Sequence, residues 1–145
     1  MTTALPLIFA GFVVVAGAFA GMPAEADVIS LKAEMKAANL VPPNKSAGAG
    51  TLDVSYDTKD KKLTWKGSYS GLTGPVTAAH FHGPAMAGRN AGISLVIMSG
   101  PLPAAFEGSA TITDAQAADL MAGRWYVSLH TAANPAGEIR GQVTK

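Results

Sequence analysis

Apolar and polar residues alternate along most of the chain, which is the pattern of β-strands with one buried face. From Ile29 to Ala37 every second residue is apolar and the residues between them are polar. The segments that we predict as strands are 29–37, 51–56, 63–69, 76–82, 93–98, 106–112, 125–130 and 138–143. Gly67 suggests a β-bulge in the third segment. The fifth segment is apolar at almost every position, which is typical of a central strand.

Turn residues separate the predicted strands, and one short helix is predicted among them. Glycine and proline cluster between most segments, where they end strands and permit tight turns. Thr113 and Gln116 have the spacing of a capping box, small and apolar residues follow, and Gly123 stands where the helix would end. Seven or eight short strands with one connecting helix predict an all-β fold, an antiparallel sandwich or barrel.

The N-terminal segment has a different character, because Leu5 to Ala20 contains no charged residue. The small residues around Ala24-Glu25-Ala26 offer a cleavage site, so we predict a signal peptide over residues 1–26 and a single domain over residues 27–145. A retained membrane anchor is the alternative, since spanning a bilayer takes about 20 apolar residues. A cleaved protein would be periplasmic or secreted and would have no stable membrane association.

The composition excludes several classes of function. The 145 residues include no cysteine and three histidines, and the formal net charge is +1. Without cysteine there are no disulfides, thiolate metal sites or cysteine nucleophiles. The charge is too small for a protein that tracks phosphates, so we expect no nucleic-acid partner. An exported domain without disulfides fits a bacterial periplasm or cell exterior.

The spacing of the three histidines favours a transition-metal site. His80 and His82 lie two residues apart on a predicted strand, so both side chains leave the same face. His130 lies on the polar side of its own strand, with Tyr126 and Ser128. Three imidazoles suit copper, our first choice, or zinc. The alternative is that the histidines are scattered and make structural hydrogen bonds, and the separation of the three rings decides between these hypotheses.

Other polar residues are candidates for supporting roles near the histidines. Glu138 and Arg140 share a face of the last strand and follow the turn after His130, and Tyr126 shares the face of His130. We predict that these three residues contact the metal ligands, or that Glu138 and Arg140 form an anion-attracting rim. A surface ion pair between Glu138 and Arg140 is the more common arrangement. Met86 is either a soft ligand for Cu(I) or a cover for its loop.

Several motifs of the chain resemble the CHRD (chordin-type) domain family. The two most specific are A-H-F-H-G-P at residues 79–84 and L-H-T-x-x-N-P-x-G-E-I-R-G at residues 129–141. Shorter matches at 41–44 and 69–73 extend the resemblance to nearly the whole predicted domain. Ala136 departs from the glycine that the family often has in its turn. The resemblance implies an immunoglobulin-like sandwich or barrel in an exported bacterial single-domain protein, and its motifs contain all three histidines.

These observations lead to two hypotheses of function. The first is an exported CHRD-domain protein that binds copper or zinc through His80, His82 and His130, for copper sequestration or redox protection. The second is a non-catalytic extracellular interaction or structural module, which holds a protein partner or forms a homo-oligomer without metal. We predict no catalytic residues; a copper-dependent redox activity such as superoxide dismutation is the candidate if the protein is an enzyme. A hydrolase that used His130 and Glu138 as acid and base would lack a nucleophile.

Overall fold

The structure is a computed structural model that describes residues 27–145, together with residues 17, 18, 20–22 and 25. Most of the predicted signal peptide, residues 1–26, therefore lies outside the described residues. Among the described residues, no helix has the length and apolar character that crossing a membrane requires. The elements are β1 (Val28–Lys36), β2 (Ala49–Asp57), β3 (Lys62–Ser70), β4 (Val76–His82), β5 (Ile93–Ser99), β6 (Ala105–Thr111), α1 (Asp114–Met121), β7 (Tyr126–Thr131) and β8 (Ile139–Gln142), with a 3-10 turn at Ala37–Asn39 after β1.

The eight strands form one antiparallel sheet, which confirms the predicted all-β fold with one short helix. The order of the strands is β5-β4-β7-β8-β1-β2-β3-β6, and the sheet curls into a nearly closed barrel. The strands β4, β7 and β8 are neighbours, although β4 and β7 are separated by more than 40 residues of chain. Any functional site on these strands is therefore assembled by the tertiary fold.

Alternation sends one face of each strand into the barrel, where the side chains form a single apolar core. Phe81 is completely buried and packs between Trp65 and Trp125, with ring centres 5.5 and 5.6 Å away. Because His80 and His82 flank Phe81 on β4, their side chains leave the opposite face of the strand. The packing of Phe81 thus fixes the strand that carries two of the three histidines.

The strand β5 is an edge strand, so the predicted central position of its apolar run is wrong. It pairs with β4 alone, and two register shifts interrupt this pairing. Ile93 and Val96 consequently remain 55% and 49% exposed. A run of apolar residues gives a strand its β propensity but does not specify how many neighbours the strand has, which depends on the whole topology.

The predicted bulge at Gly67 is also wrong, because the pairing of β3 with β2 and β6 is continuous through this residue. A Cβ atom at Gly67 would lie 2.7 Å from Leu52 Cδ1 and 2.8 Å from Phe106 Cζ. The glycine therefore makes room for two core side chains in a regular strand. A register shift occurs instead in β4, between Val76 and Ala78.

The helix α1 begins with the predicted capping box. The Thr113 hydroxyl accepts a hydrogen bond from the Gln116 backbone N–H, and the Gln116 side chain accepts one from the Thr113 backbone. Gly123 follows the end of the helix with φ +72°, a left-handed conformation that glycine adopts without strain. The Gln116 amide also donates to the Ser94 carbonyl at 3.0 Å, which ties the helix to the edge strand β5.

Candidate metal centre

The antiparallel pairing of β4 and β7 brings the three histidines together on the outer face of the barrel. His130 pairs with Ala78 and is therefore diagonal to His80 across the two strands. The His80 Nδ1 and His130 Nε2 atoms lie 3.3 Å apart. Each of the three residues offers one ring nitrogen, and these nitrogens all lie within 4.8 Å of one another. The histidines are thus clustered and not scattered.

Backbone carbonyls fix the protons on two of the three rings. His82 Nδ1 lies 3.1 Å from the Ala91 carbonyl, and His130 Nδ1 lies 3.0 Å from the Pro135 carbonyl. A carbonyl oxygen can only accept, so both Nδ1 atoms carry the proton and both Nε2 atoms keep a free lone pair. His80 Nδ1 faces the lone pair of His130 Nε2, and in the metal-free protein it donates its proton there.

The Nε2 atom of His82 is buried and has no hydrogen-bond partner among the residues that the structure describes. A buried acceptor without a partner loses its hydration and gains nothing in return, at a cost of about 1–3 kcal/mol. Proteins seldom leave such an atom unpaired unless a water or an ion fills the position. The lone pair of this atom is therefore available to a ligand.

Burial keeps two of the imidazoles neutral. It lowers the pKa of His80 below the ordinary value of 6.5, and the neighbouring His130 lowers it further. Burial also lowers the pKa of His82, although the hydrogen bond to Ala91 opposes this effect. The neutral imidazole is the form that binds a transition metal, so both rings are in the ligand state at neutral pH.

The spacing of the nitrogens is compatible with one ion after a small adjustment. Two nitrogens bound to the same ion at about 2.1 Å can lie at most about 4.2 Å apart. The His80–His130 separation of 3.3 Å satisfies this limit, whereas the upper value of 4.8 Å within the cluster exceeds it slightly. Turning one ring by less than about 1 Å closes the difference. The residues present therefore fit a metal ion bound by three nitrogens.

Tyr126 contacts His82. The two rings are stacked, with centres 4.9 Å apart and planes within 4° of parallel. The Tyr126 hydroxyl donates to the Ala91 carbonyl at 3.1 Å and accepts from the Ala91 N–H at 3.0 Å. Ala91 is thus a shared partner of Tyr126 and His82.

Arg140 lies one layer further from the metal centre and is only 1% exposed. Its guanidinium carbon sits 3.4 Å from the centre of the Tyr126 ring. Its Nη2 donates to the Arg89 carbonyl at 2.8 Å, and its Nη1 donates to Asn90 Oδ1 at 3.1 Å. It has no carboxylate partner among the described residues, so the alternative of a surface ion pair with Glu138 is wrong.

Glu138 is completely buried, and its carboxylate forms no hydrogen bond with any of the three histidines. Its carboxylate accepts five hydrogen bonds, from Ser46 Oγ, Thr73 N, Thr73 Oγ1, Thr131 Oγ1 and Asn134 Nδ2. Burial alone would raise the pKa of this carboxyl, but the hydrogen bonds from Thr73, Thr131 and Asn134 outweigh burial and lower it. Glu138 therefore ties the β7–β8 hairpin to two neighbouring loops.

The loops around the histidines form a cleft of about 400 Å3 beside His82. Tyr126 and Arg140 contribute to its wall, as do the prolines at positions 42, 43 and 135. Met86, on the loop between β4 and β5, is 55% exposed and contributes its carbonyl to the contacts of Arg140. No feature of the sequence indicates the Ala91 and Pro135 carbonyls, because every residue carries a backbone carbonyl.

Comparison with known proteins adds one finding. The model of the CHRD domain family matches residues 31–143, a range that contains the three histidines as well as Tyr126, Glu138 and Arg140. No curated protein and no solved structure matches the chain.

Proposed function

The chain belongs to the CHRD domain family, and on that premise we propose that it binds one transition-metal ion, copper in the first place, through His80, His82 and His130. The ligand atoms would be His80 Nδ1, His82 Nε2 and His130 Nε2. The protein would serve copper sequestration or redox protection in the periplasm or outside the cell. The export of the chain rests on the predicted signal peptide over residues 1–26.

The unpaired Nε2 of His82 is the observation that carries this proposal. The other ring nitrogen, His82 Nδ1, donates its proton to the Ala91 carbonyl. The tautomer with the proton on Nε2 would lose this hydrogen bond, so Nε2 keeps its lone pair. The Pro135 carbonyl sets the same arrangement for His130. A metal-binding histidine usually donates its second N–H to such an acceptor, which orients the ring and raises its basicity.

The donor set favours copper over zinc without excluding zinc. All three donors are imidazole nitrogens, which suit both ions, and copper is bound more tightly by a given set of ligands. Bound copper would supply one-electron redox chemistry, whereas zinc would act only as a Lewis acid. The residues of the chain would hold the ion, and the buried Nε2 of His82 would face it on a side that solvent does not reach.

Titration of the purified, metal-free chain with Cu(II) and Zn(II), followed by isothermal calorimetry and competition with a chelator, tests the proposal. We expect one equivalent of Cu(II) to bind more tightly than Zn(II), and nitrogen couplings in the Cu(II) EPR spectrum. The variants His80→Ala, His82→Ala and His130→Ala should each lose more than the about 10–100-fold in affinity that removal of an outer partner causes, because only two of the three ligands remain. Glu107→Ala, which removes an exposed carboxylate on β6, is the control for adventitious binding.

Two results would overturn the proposal. One is that the chain binds no metal in the titration and that its stability is the same with and without a chelator, which would favour the interaction module. The other is that His82→Ala binds Cu(II) as tightly as the unmodified chain.

A further inference from the structure

We propose that Tyr126 and Arg140 are positioning residues for the metal centre, and that they act by holding the Ala91 carbonyl that accepts the His82 Nδ1 proton. This inference rests on the proposed metal site and extends it to the loop between β4 and β5. The loop, residues 83–92, would then be part of the binding site although it contributes no metal ligand.

The loop depends on distant residues to hold Ala91 in place. Four of its ten residues are glycine or proline, and Gly88 adopts the left-handed region with φ +84°. Such a segment loses much conformational entropy on becoming ordered. Its contacts with the rest of the chain include the Asn90 side chain, which donates to the Val41 carbonyl at 2.7 Å, and the Tyr126 and Arg140 side chains described above.

Tyr126 contacts both the ring of His82 and the backbone of Ala91, which accepts the proton of His82 Nδ1. Its hydroxyl holds both backbone polar groups of Ala91, and its ring lies parallel to the imidazole of His82. The Ala91 carbonyl therefore accepts from both the phenol and the imidazole, at 3.1 Å each. Removing the hydroxyl would leave the Ala91 carbonyl free to move, and this would weaken the hydrogen bond that keeps the proton on His82 Nδ1.

Arg140 holds the two residues that precede Ala91. Its donation to the Arg89 carbonyl and to the Asn90 side chain fixes the chain just before the carbonyl that His82 uses. Its guanidinium also covers the Tyr126 ring. Arg140 has no carboxylate partner in the described part of the chain, so the desolvation of its charge is offset only through contacts of this kind. The Tyr126 ring thus lies between the imidazole of His82 on β4 and the guanidinium of Arg140, which reaches it diagonally from β8.

The expected size of the effect follows from other metal sites. Removing an outer partner of a metal-binding histidine typically lowers metal affinity about 10–100-fold. We expect a loss of this size in Tyr126→Phe, which keeps the ring and its stacking on His82 but removes both contacts with Ala91. Arg140→Lys keeps the charge but not the planar group that reaches Arg89 and Asn90 together, and it should also weaken binding.

The experiment compares Cu(II) affinity and the Cu(II) EPR spectrum of the full chain with those of Tyr126→Phe, Arg140→Lys and His82→Ala. Tyr69→Phe is the matched control, because it also removes a hydrogen bond from a tyrosine hydroxyl to a backbone carbonyl, that of Leu102, but on β3. Circular dichroism establishes that each variant is folded at the temperature of the titration. We expect Tyr126→Phe to lose 10–100-fold in affinity and to change the EPR parameters, whereas Tyr69→Phe changes neither.

The outcomes separate this inference from the proposed function. If the unmodified chain binds no Cu(II), the proposed function and the inference both fail. If His82→Ala abolishes binding while Tyr126→Phe matches the unmodified chain in affinity and in spectrum, the metal site stands and the inference is refuted. A loss of stability in Tyr126→Phe with unchanged affinity and spectrum would also refute it, because Tyr126 would then have only a structural role.

Discussion

The five hydrogen bonds to the buried Glu138 carboxylate predict that Glu138→Gln will destabilise the domain although it changes a single atom. The Oε2 atom accepts from Ser46 Oγ and Thr73 N, and the Oε1 atom accepts from two threonine hydroxyls and from Asn134 Nδ2. A glutamine amide must place its NH2 group toward one of these two sets of donors. Hydroxyl groups can rotate and become acceptors, but the Thr73 backbone N–H and the Asn134 amide N–H as placed cannot.

The magnitude follows from this geometry. In either orientation the buried NH2 group of the glutamine faces another N–H, that of Thr73 or that of Asn134. A buried donor without an acceptor costs about 1–3 kcal/mol. The remaining hydrogen bonds also lose the assistance of the charge, while the smaller desolvation cost of a neutral amide offsets part of that loss. We expect the free energy of unfolding to fall by about 2–3 kcal/mol and the melting temperature to fall by on the order of 10 °C for a domain of this size.

Chemical denaturation followed by tryptophan fluorescence measures this change. Glu107→Gln, the same substitution at an exposed position of β6, is the matched control and should stay within about 0.5 kcal/mol of the unmodified protein. The difference should also depend on pH. Because the folded protein holds the pKa of Glu138 below 4.5, the stabilisation by its charge is complete above that value and is lost as the pH falls through the folded-state pKa.

The reasoning about the carboxylate is wrong if Glu138→Gln is as stable as Glu107→Gln at neutral pH. It is also wrong if the difference between the two variants does not shrink as the pH falls through the folded-state pKa of Glu138, because a protonated carboxyl loses the advantage that its charge gives it over glutamine as an acceptor.

Two further predictions concern the histidines and the core. The metal-free protein should lose stability as the pH falls below about 6.5, because the pKa values of His80 and His82 are lower in the folded than in the unfolded state, so the unfolded state takes up protons first. Denaturation at pH 7.5 and at pH 5.5 measures this change. A stability that rises on acidification would contradict the prediction. Gly67→Ala should lower the free energy of unfolding by about 1–3 kcal/mol, because the new Cβ would overlap Leu52 and Phe106. Gly74→Ala is the control in the same denaturation assay and should be neutral, because its Cβ would have nothing within 4 Å. Equal stability of the two variants would count against the overlap.

The strands were predictable from the sequence because alternation reflects a purely local property, the two faces of an extended chain. The pattern at 125–130 placed Trp125, Val127 and Leu129 in the core, where all three are fully buried. The position of each strand in the sheet was not predictable in this way. The apolar run of β5 lies at the edge of the sheet, where β4 is its only neighbour among the described strands, because pairing partners are a property of the whole topology.

The three histidines could be selected from the sequence because no other residue type offered comparable chemistry. The residues that surround the three histidines could not be identified from the sequence. The outer face of β8 appears polar in sequence, yet loops cover it and bury both Glu138 and Arg140. Ala91 and Pro135 contribute only carbonyl oxygens, so their role depends on where the backbone passes and not on residue type.

The cluster of three histidines has one side built on paired strands and one side built on connecting segments. His80, His82 and His130 extend from β4 and β7, which are each hydrogen-bonded on both edges, so their amide hydrogens should exchange with solvent only through global unfolding. The Ala91 and Pro135 carbonyls lie in loops, which open locally at a much lower free energy. Entry and release of a ligand would therefore proceed by local opening of residues 83–92 while the barrel stays intact, because the hydrogen bonds from Thr131 and Asn134 to Glu138 hold the β7–β8 loop in place. Hydrogen exchange would then report the opening of the site separately from the stability of the fold.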